Sequence, residues 1–253
     1  MRRNVVRLVV VATLLASAAR EVRAQTPALA RFDSLVIAGE VSQAAQVLDA
    51  EARSGTPGFP LLWRQSRLRL LQGDAAVAQS RQQDRLYQAA LQLAEQAIKA
   101  NPAAPEGYVR RAAASGKVAL FSGVLDASDY VLQAKADAEL VLAMRNADAI
   151  SLATAHYILG RTHLKLTETP RPLRMPLGLG FGNIPEAVTN LRRARELRPR
   201  FVMFELEYAR ALIADDKAAE ARPLLEAVAT LPNGEPGDDE RKVEAAALLR
   251  SLR

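Results

Sequence analysis

A chain of 253 residues, 49% hydrophobic and 25% charged, has ordinary globular composition and is long enough for one large domain or two ordinary ones. It contains no cysteine, which excludes disulfides, thiolate metal sites, a cysteine nucleophile and a lipidated cysteine. The formal charge of +6 looks basic, but the excess is concentrated at the start of the chain.

Residues 1–24, MRRNVVRLVVVATLLASAAREVRA, have the three parts of a secretory signal peptide. Arg2, Arg3 and Arg7 form the charged start, an apolar stretch follows from Leu8, and Val22-Arg23-Ala24 offers small residues for cleavage before Gln25. The alternative, an uncleaved anchor, needs about 20 apolar residues to span a bilayer, and this stretch is shorter. Taking Arg2, Arg3, Arg7, Arg20, Arg23 and Glu21 away from the 34 basic and 28 acidic residues leaves 29 against 27, so the mature chain carries only +2. That balance lacks the concentrated basic face that nucleic-acid binding requires. No later segment has transmembrane length, so a periplasmic or secreted protein is expected.

From Gln25 onward the chain is rich in Ala, Leu, Arg, Gln and Glu and has almost no alternating pattern, which predicts an all-α fold over 25–253. Breaks recur about every 15 to 20 residues, the spacing of paired helices in a repeat protein. The first pair runs from Phe32 to Arg53, turning at Gly39, with Ala44 and Leu48 on its second helix. A second unit places Trp63, Arg67 and Leu70 on one helix and Ala90, Ala94 and Ala97 on the next, closing at Pro102. In that register Arg67 falls where a small residue is expected. Tyr108 and Ala112 open a third unit, whose second helix is expected from Asp126 to Met144.

The clearest unit is the fourth. ATAHYILGRTHLKL carries Leu159-Gly160 and His163, and IPEAVTNLRRARELRP carries Ala187, Leu191, Ala194, Leu197 and Pro199. This is the tetratricopeptide pattern: a small residue lets two helices approach, alanines and a large residue fill the interface, and proline closes the unit. Ala209, Leu212, Ala221, Leu225 and Val228 repeat it, and DDERKVEAAALLRSL reads as a closing cap. The expectation is a right-handed superhelix of about five helix pairs with a C-terminal capping helix.

An inserted Pro/Gly-rich loop at 167–184 interrupts the fourth unit. Its glycines read GLGFG after a helix, not GxGxxG after a strand, and no GK[ST] follows, so dinucleotide and nucleoside triphosphate loops are rejected. One reading is an anion or partner contact through Arg171, Arg174, Gly178, Gly180, Phe181 and Gly182 beside the helix start at Pro185. The other is a surface excursion packed by its own apolar side chains.

His156 and His163 share a helix face, but both occupy positions of interface aromatics and no third histidine completes a zinc set, so no metal or cofactor is assigned. Asp215-Asp216 and Asp238-Asp239 read as caps at helix starts. No GxSxG motif or triad is present. In a tetratricopeptide stack the first helices line a groove, and register places Leu61, Arg64, Leu68, Tyr157, Arg161, Lys165, Met203, Leu206 and Arg210 on it. Apolar surface with a few cations suits a protein or peptide bearing a carboxylate, and equally an anionic phospholipid.

FDSLVIAGEVSQAAQVLDAEA, PLLWRQSRLRLL, YQAALQLAEQAIKANPAAPEGYVRRAAASG, ISLATAHYILGRTHLKL, the long loop and ERKVEAAALLRSL together resemble the regulator of microtubule dynamics family in order and spacing. The resemblance spans roughly Phe32 to Leu252 and implies an all-helical, non-enzymatic interaction domain. Animal relatives are associated with microtubules, and one tethers organelle membranes and is similar to a phospholipid carrier through its repeat domain.

Overall fold

A computed structural model of the chain describes residues 26–55, 57–76 and 78–252. The signal-like segment 1–24 lies outside the described residues. Among those residues there are twelve α-helices and no strand. Helix α1 (Pro27–Ile37) pairs with α2 (Val41–Arg53), α3 (Phe59–Asp74) with α4 (Arg81–Ala100), and α5 (Pro105–Val118) with α6 (Val124–Ala143). Helix α7 (Ala149–Thr167) is followed by the one-turn α8 (Arg171–Arg174) before its partner α9 (Ile184–Leu197). Helices α10 (Val202–Ala214) and α11 (Ala218–Val228) form the fifth pair, and α12 (Asp238–Ser251) closes the stack against both.

The helix starts follow from local chemistry. Thr26, Ser80, Asp148 and Asn183 each accept a hydrogen bond from an amide of the turn they precede, and proline occupies the first turn of α1, α3, α5 and α9, where its missing amide leaves no bond unmade. The paired aspartates behave otherwise than their sequence positions suggest. Asp215 ends α10, and Lys217, which precedes α11, makes no side-chain cap bond. Asp238 accepts from the amides of Gly234 and Glu235, so it braces the loop before α12 instead of capping the helix.

Each pair closes on small residues. A Cβ added at Gly160 would lie 2.6 Å from Leu191 Cγ and 3.1 Å from the Ala187 carbonyl, so glycine is what lets α7 and α9 touch. The buried residues fall into clusters strung along the stack, from Phe32, Val36 and Leu48 at one end to Leu212, Leu225 and Val228 at the other. No single centre exists, as expected where each unit contacts its neighbours. The stack curves until Arg67 on α3 reaches Glu235, in the loop between α11 and α12, at 3.4 Å. The two residues are 168 positions apart in sequence, so the stack bends toward the side on which they meet, which is its interior.

Candidate functional site

Three inward residues share one position of the repeat, the residue that follows the small one. Gly160 and Ala209 are buried at helix contacts, and Arg161 and Arg210 come next. In α3 the equivalent small residue is Ser66, which is 0% exposed and donates its hydroxyl to the Ala90 carbonyl of α4 at 2.8 Å. Arg67 therefore does not occupy the helix contact, as the Trp63 register suggests; it points into the interior. Trp63 is instead a rim residue, with the Arg64 guanidinium 4.0 Å from its ring centre.

That slip corrects several expected groove residues. Leu61 and Leu68 belong to the core between α3 and the first pair, and Leu206, at 1% exposed, belongs to the core between α10 and α11. Arg64 is only 5% exposed, and donates through Nε and Nη2 to Asp33 of α1 at 3.1 and 2.6 Å. Met203 packs beside Phe201 and Phe204, and Tyr157 stacks on Phe204 with ring centres 5.2 Å apart. Lys165 is exposed and pairs locally with Glu168. Arg161 and Arg210 do face the interior, joined in one network in which both donate to Glu207 and Arg210 also pairs with Glu244 of α12.

A second group of cations has fewer partners. Arg67 of α3, Arg110 of α5 and Arg198, just after α9, feel one another's field or that of Glu235. Glu235 is bonded to Arg67. The Nε atoms of Arg67 and Arg110 are buried with no hydrogen-bond partner among the described residues. Burial and then the like charge of Arg67 push the Arg110 guanidinium down to about 10, against the opposing pull of Glu235, Glu106 and Asp33. Burial likewise lowers Arg198, whose guanidinium lies 3.5 Å from the centre of the Phe201 ring. Unpartnered buried donors cost free energy, so an acceptor brought to this cluster would be stabilised by them.

Glu235 is held firmly. The buried Asp238 carboxylate accepts from the Gly234 and Glu235 amides at 2.8 and 3.0 Å and from Arg241 at 2.7 Å. Gly237 takes the left-handed conformation at φ 88°, and Gly234 lies against the Phe201 ring. Neither Arg110 nor Glu235 is found by repeat register, since their meeting depends on the curvature of the whole stack.

The inserted loop is a folded element. Arg174, 6% exposed, donates Nε to the Thr169 carbonyl at 3.1 Å, Nη1 to Leu179 at 2.7 Å and Nη2 to Gly182 at 2.9 Å. Its guanidinium is therefore spent on the loop's own backbone and does not serve an external anion. Gly178 takes φ 74°, Gly180 lies under Met175, and Gly182 packs against Leu166. Phe181 meets His163 edge-on at 5.4 Å and lies beneath Lys135. Burial lowers the His163 pKa, and His156 Nδ1 is 2.9 Å from Asn190 Oδ1. Of the loop cations Arg171 is exposed, beside the exposed Leu173 and Met175.

At the rim, Phe59, Trp63, Arg64, Ala104, Glu106 and Asp148 are among the residues that line a cavity of about 390 Å³. Among the described residues no helix is long and apolar enough to cross a membrane.

The family model for regulator of microtubule dynamics protein 1-3 matches residues 28–253. Comparison with curated proteins gives no match. Among solved structures, the chain is similar to a thermophilic tetratricopeptide-repeat protein of Thermus thermophilus, with a TM-score of 0.62 and 16% identity over 88% of this chain and 97% of that one. At that identity the likeness concerns the fold.

Proposed function

The chain belongs to the regulator of microtubule dynamics protein 1-3 family, and on that premise we propose that it is a non-enzymatic scaffold of the cell envelope that holds a protein or peptide partner in its interior groove. Helical-repeat stacks of this kind serve as interaction folds because their curvature creates an extended concave surface. The observation that carries the reading is the interior cation group, where Arg67 and Arg110 keep buried Nε donors without partners among the described residues. Delivery to the envelope is supported by the charge, apolar stretch and small residues of 1–24.

The test is photo-cross-linking in an envelope extract from a probe placed at Trp63 on the rim, with Arg192 on the exposed α9 surface as the control position. A defined protein recovered from the first position and absent from the second is the expected result. Equal capture from both positions would refute the groove reading. N-terminal sequencing of the purified protein tests location, with Gln25 expected as the first residue.

A second reading, a carrier of an anionic phospholipid, is favoured by the exposed apolar pair Leu173 and Met175 beside Arg171. A stoichiometric lipid seen by native mass spectrometry would establish it in place of the first.

A further inference from the structure

We propose that Arg67, Arg110 and Arg198 form a carboxylate-binding site for an acidic peptide segment, and that Glu235 is the chain's own carboxylate occupying part of that site. The inference rests on the groove reading and names the chemistry of its partner.

Four observations carry it. First, Arg67 of α3 reaches the loop carboxylate Glu235, with Nη2 3.4 Å from Oε1, and Arg110 of α5 and Arg198 after α9 lie close enough to feel the field of the same carboxylate. The other acids near Arg110 are committed or local, since Asp33 is bonded to Arg64 and Glu106 stands one turn earlier on α5. Second, the buried Nε atoms of Arg67 and Arg110 lack acceptors among the described residues, and a planar guanidinium fork is matched by a carboxylate. Third, the resident group is itself a peptide carboxylate, offered by the turn Asn233-Gly234-Glu235-Pro236-Gly237 and steadied by Asp238. The site thus already displays the geometry of a bound acidic segment, at a length longer than a good charge-assisted bond of about 2.7–2.9 Å.

Fourth, the surroundings suit a peptide better than a lipid. Asp33, paired with Arg64, acts on Arg110, and Asp238, paired with Arg241, acts on Arg198, so the cluster borders charged pairs and not an apolar wall. Acyl chains next to such charges would have to desolvate them, whereas a peptide backbone and polar side chains can bond to them. The bond to Glu235 makes the site self-competing: an incoming carboxylate must share or displace it.

The experiment measures fluorescence anisotropy of two labelled peptides, an alternating Glu-Gly hexamer and its Gln-Gly counterpart, against the full chain and two variants. The Glu peptide is expected to bind about tenfold more tightly than the Gln peptide, with the preference shrinking as salt rises, since one desolvated charge pair is worth about a factor of ten. Arg110→Gln should erase the preference. Glu235→Gln should raise affinity for the Glu peptide by about threefold to tenfold by removing the internal competitor, a gain that misfolding cannot imitate. Equal affinity for the two peptides, or a preference unchanged in both variants, overturns the proposal.

Vesicles of phosphatidylcholine with phosphatidylglycerol form a second arm. Lipid uptake lost in Arg110→Gln, with no peptide preference, overturns the peptide in favour of a headgroup. Cross-linking from the Trp63 position separates the two levels of the argument. Intact partner capture without a Glu preference overturns this inference alone, whereas position-independent capture overturns the groove reading that it rests on.

Discussion

Arg174 in the inserted loop and Arg110 in the interior are both arginines drawn out of bulk water, but they stand in opposite states of satisfaction. Three backbone carbonyls, of Thr169, Leu179 and Gly182, take up the donors of Arg174 within 3.1 Å. Arg110 keeps a buried Nε with no acceptor among the described residues, and burial first and the charge of Arg67 second lower its hold on its proton. A guanidinium bonded to its own chain specifies that chain's conformation; one left with open donors has been placed for something else. The loop, which by composition looks more like a ligand-binding element, spends its buried arginine on its own backbone, and the buried donors left open lie in the repeat interior.

The comparison fails first if Arg174 is dispensable. Arg174→Met keeps the length and apolar contact of the side chain but leaves three carbonyls without donors in a buried setting. Loss of these charge-assisted bonds is expected to cost about 3–5 kcal/mol. Denaturant unfolding would show it as a lower midpoint, and hydrogen exchange would show earlier opening of residues 170–183. An unchanged midpoint would show that the loop is organised by its apolar residues alone.

A smaller effect is expected at Gly182. An added Cβ would lie 2.4 Å from Leu166 Cβ and 3.0 Å from Arg174 Nη1. Leu166 Cβ is fixed to the backbone of α7 and cannot swing aside, so Gly182→Ala should cost about 1–3 kcal/mol through overpacking. Urea titration of the two proteins measures the difference, and an Ala variant as stable as the parent would mean that the loop yields easily.

The same contrast explains how far the sequence could be read. The pairing of helices was legible because Ala, Leu and Gly recur at helical spacing around Gly160 and Ala209, and α12 was legible from its acidic start. The register of α3 was not, because Trp63 draws the aromatic position of the repeat to itself, while the helix contact is made by Ser66. A usable signal was nevertheless present in the dipeptides Ser66-Arg67, Gly160-Arg161 and Ala209-Arg210, each a buried small residue followed by an inward arginine. Arg110 and Glu235 had no such signal. Their encounter is set by the summed curvature of the pairs, which no local pattern encodes. The role of Arg174 was hidden for a related reason, since a basic residue in a glycine-rich loop does not reveal which carbonyls the folded loop will turn toward it.

His163 links the two regions, being a repeat residue buried under the loop's Phe181. Burial depresses its pKa, Lys135 adds to the effect, and Glu186 and Glu139 oppose it. The unfolded chain takes up this proton near pH 6.5, before the folded one does. Between the folded value and that pH the unfolded state holds more protons, so the contribution is complete above about pH 6.5 and is lost as pH falls toward the folded pKa. Denaturation midpoints measured from about pH 7.5 down to about pH 5 should decline, and His163→Leu should flatten part of that decline. A slope identical in both proteins would assign the acid sensitivity to other groups.

The smallest expected effect is the most discriminating. Arg110→Met removes a desolvated cation whose Nε makes no bond among the described residues and which feels the like charge of Arg67, and it keeps most of the side chain's apolar volume. Relief of repulsion and of desolvation opposes the lost attraction of Glu235, Glu106 and Asp33, so stability should change by less than about 1 kcal/mol in either direction. Arg67 should also bond Glu235 more closely once its competitor is gone. Thermal unfolding of the two proteins decides the matter. A loss above about 2 kcal/mol would put Arg110 in the same structural class as Arg174, whereas a neutral result favours binding as the reason for burying Arg110 in the field of Arg67.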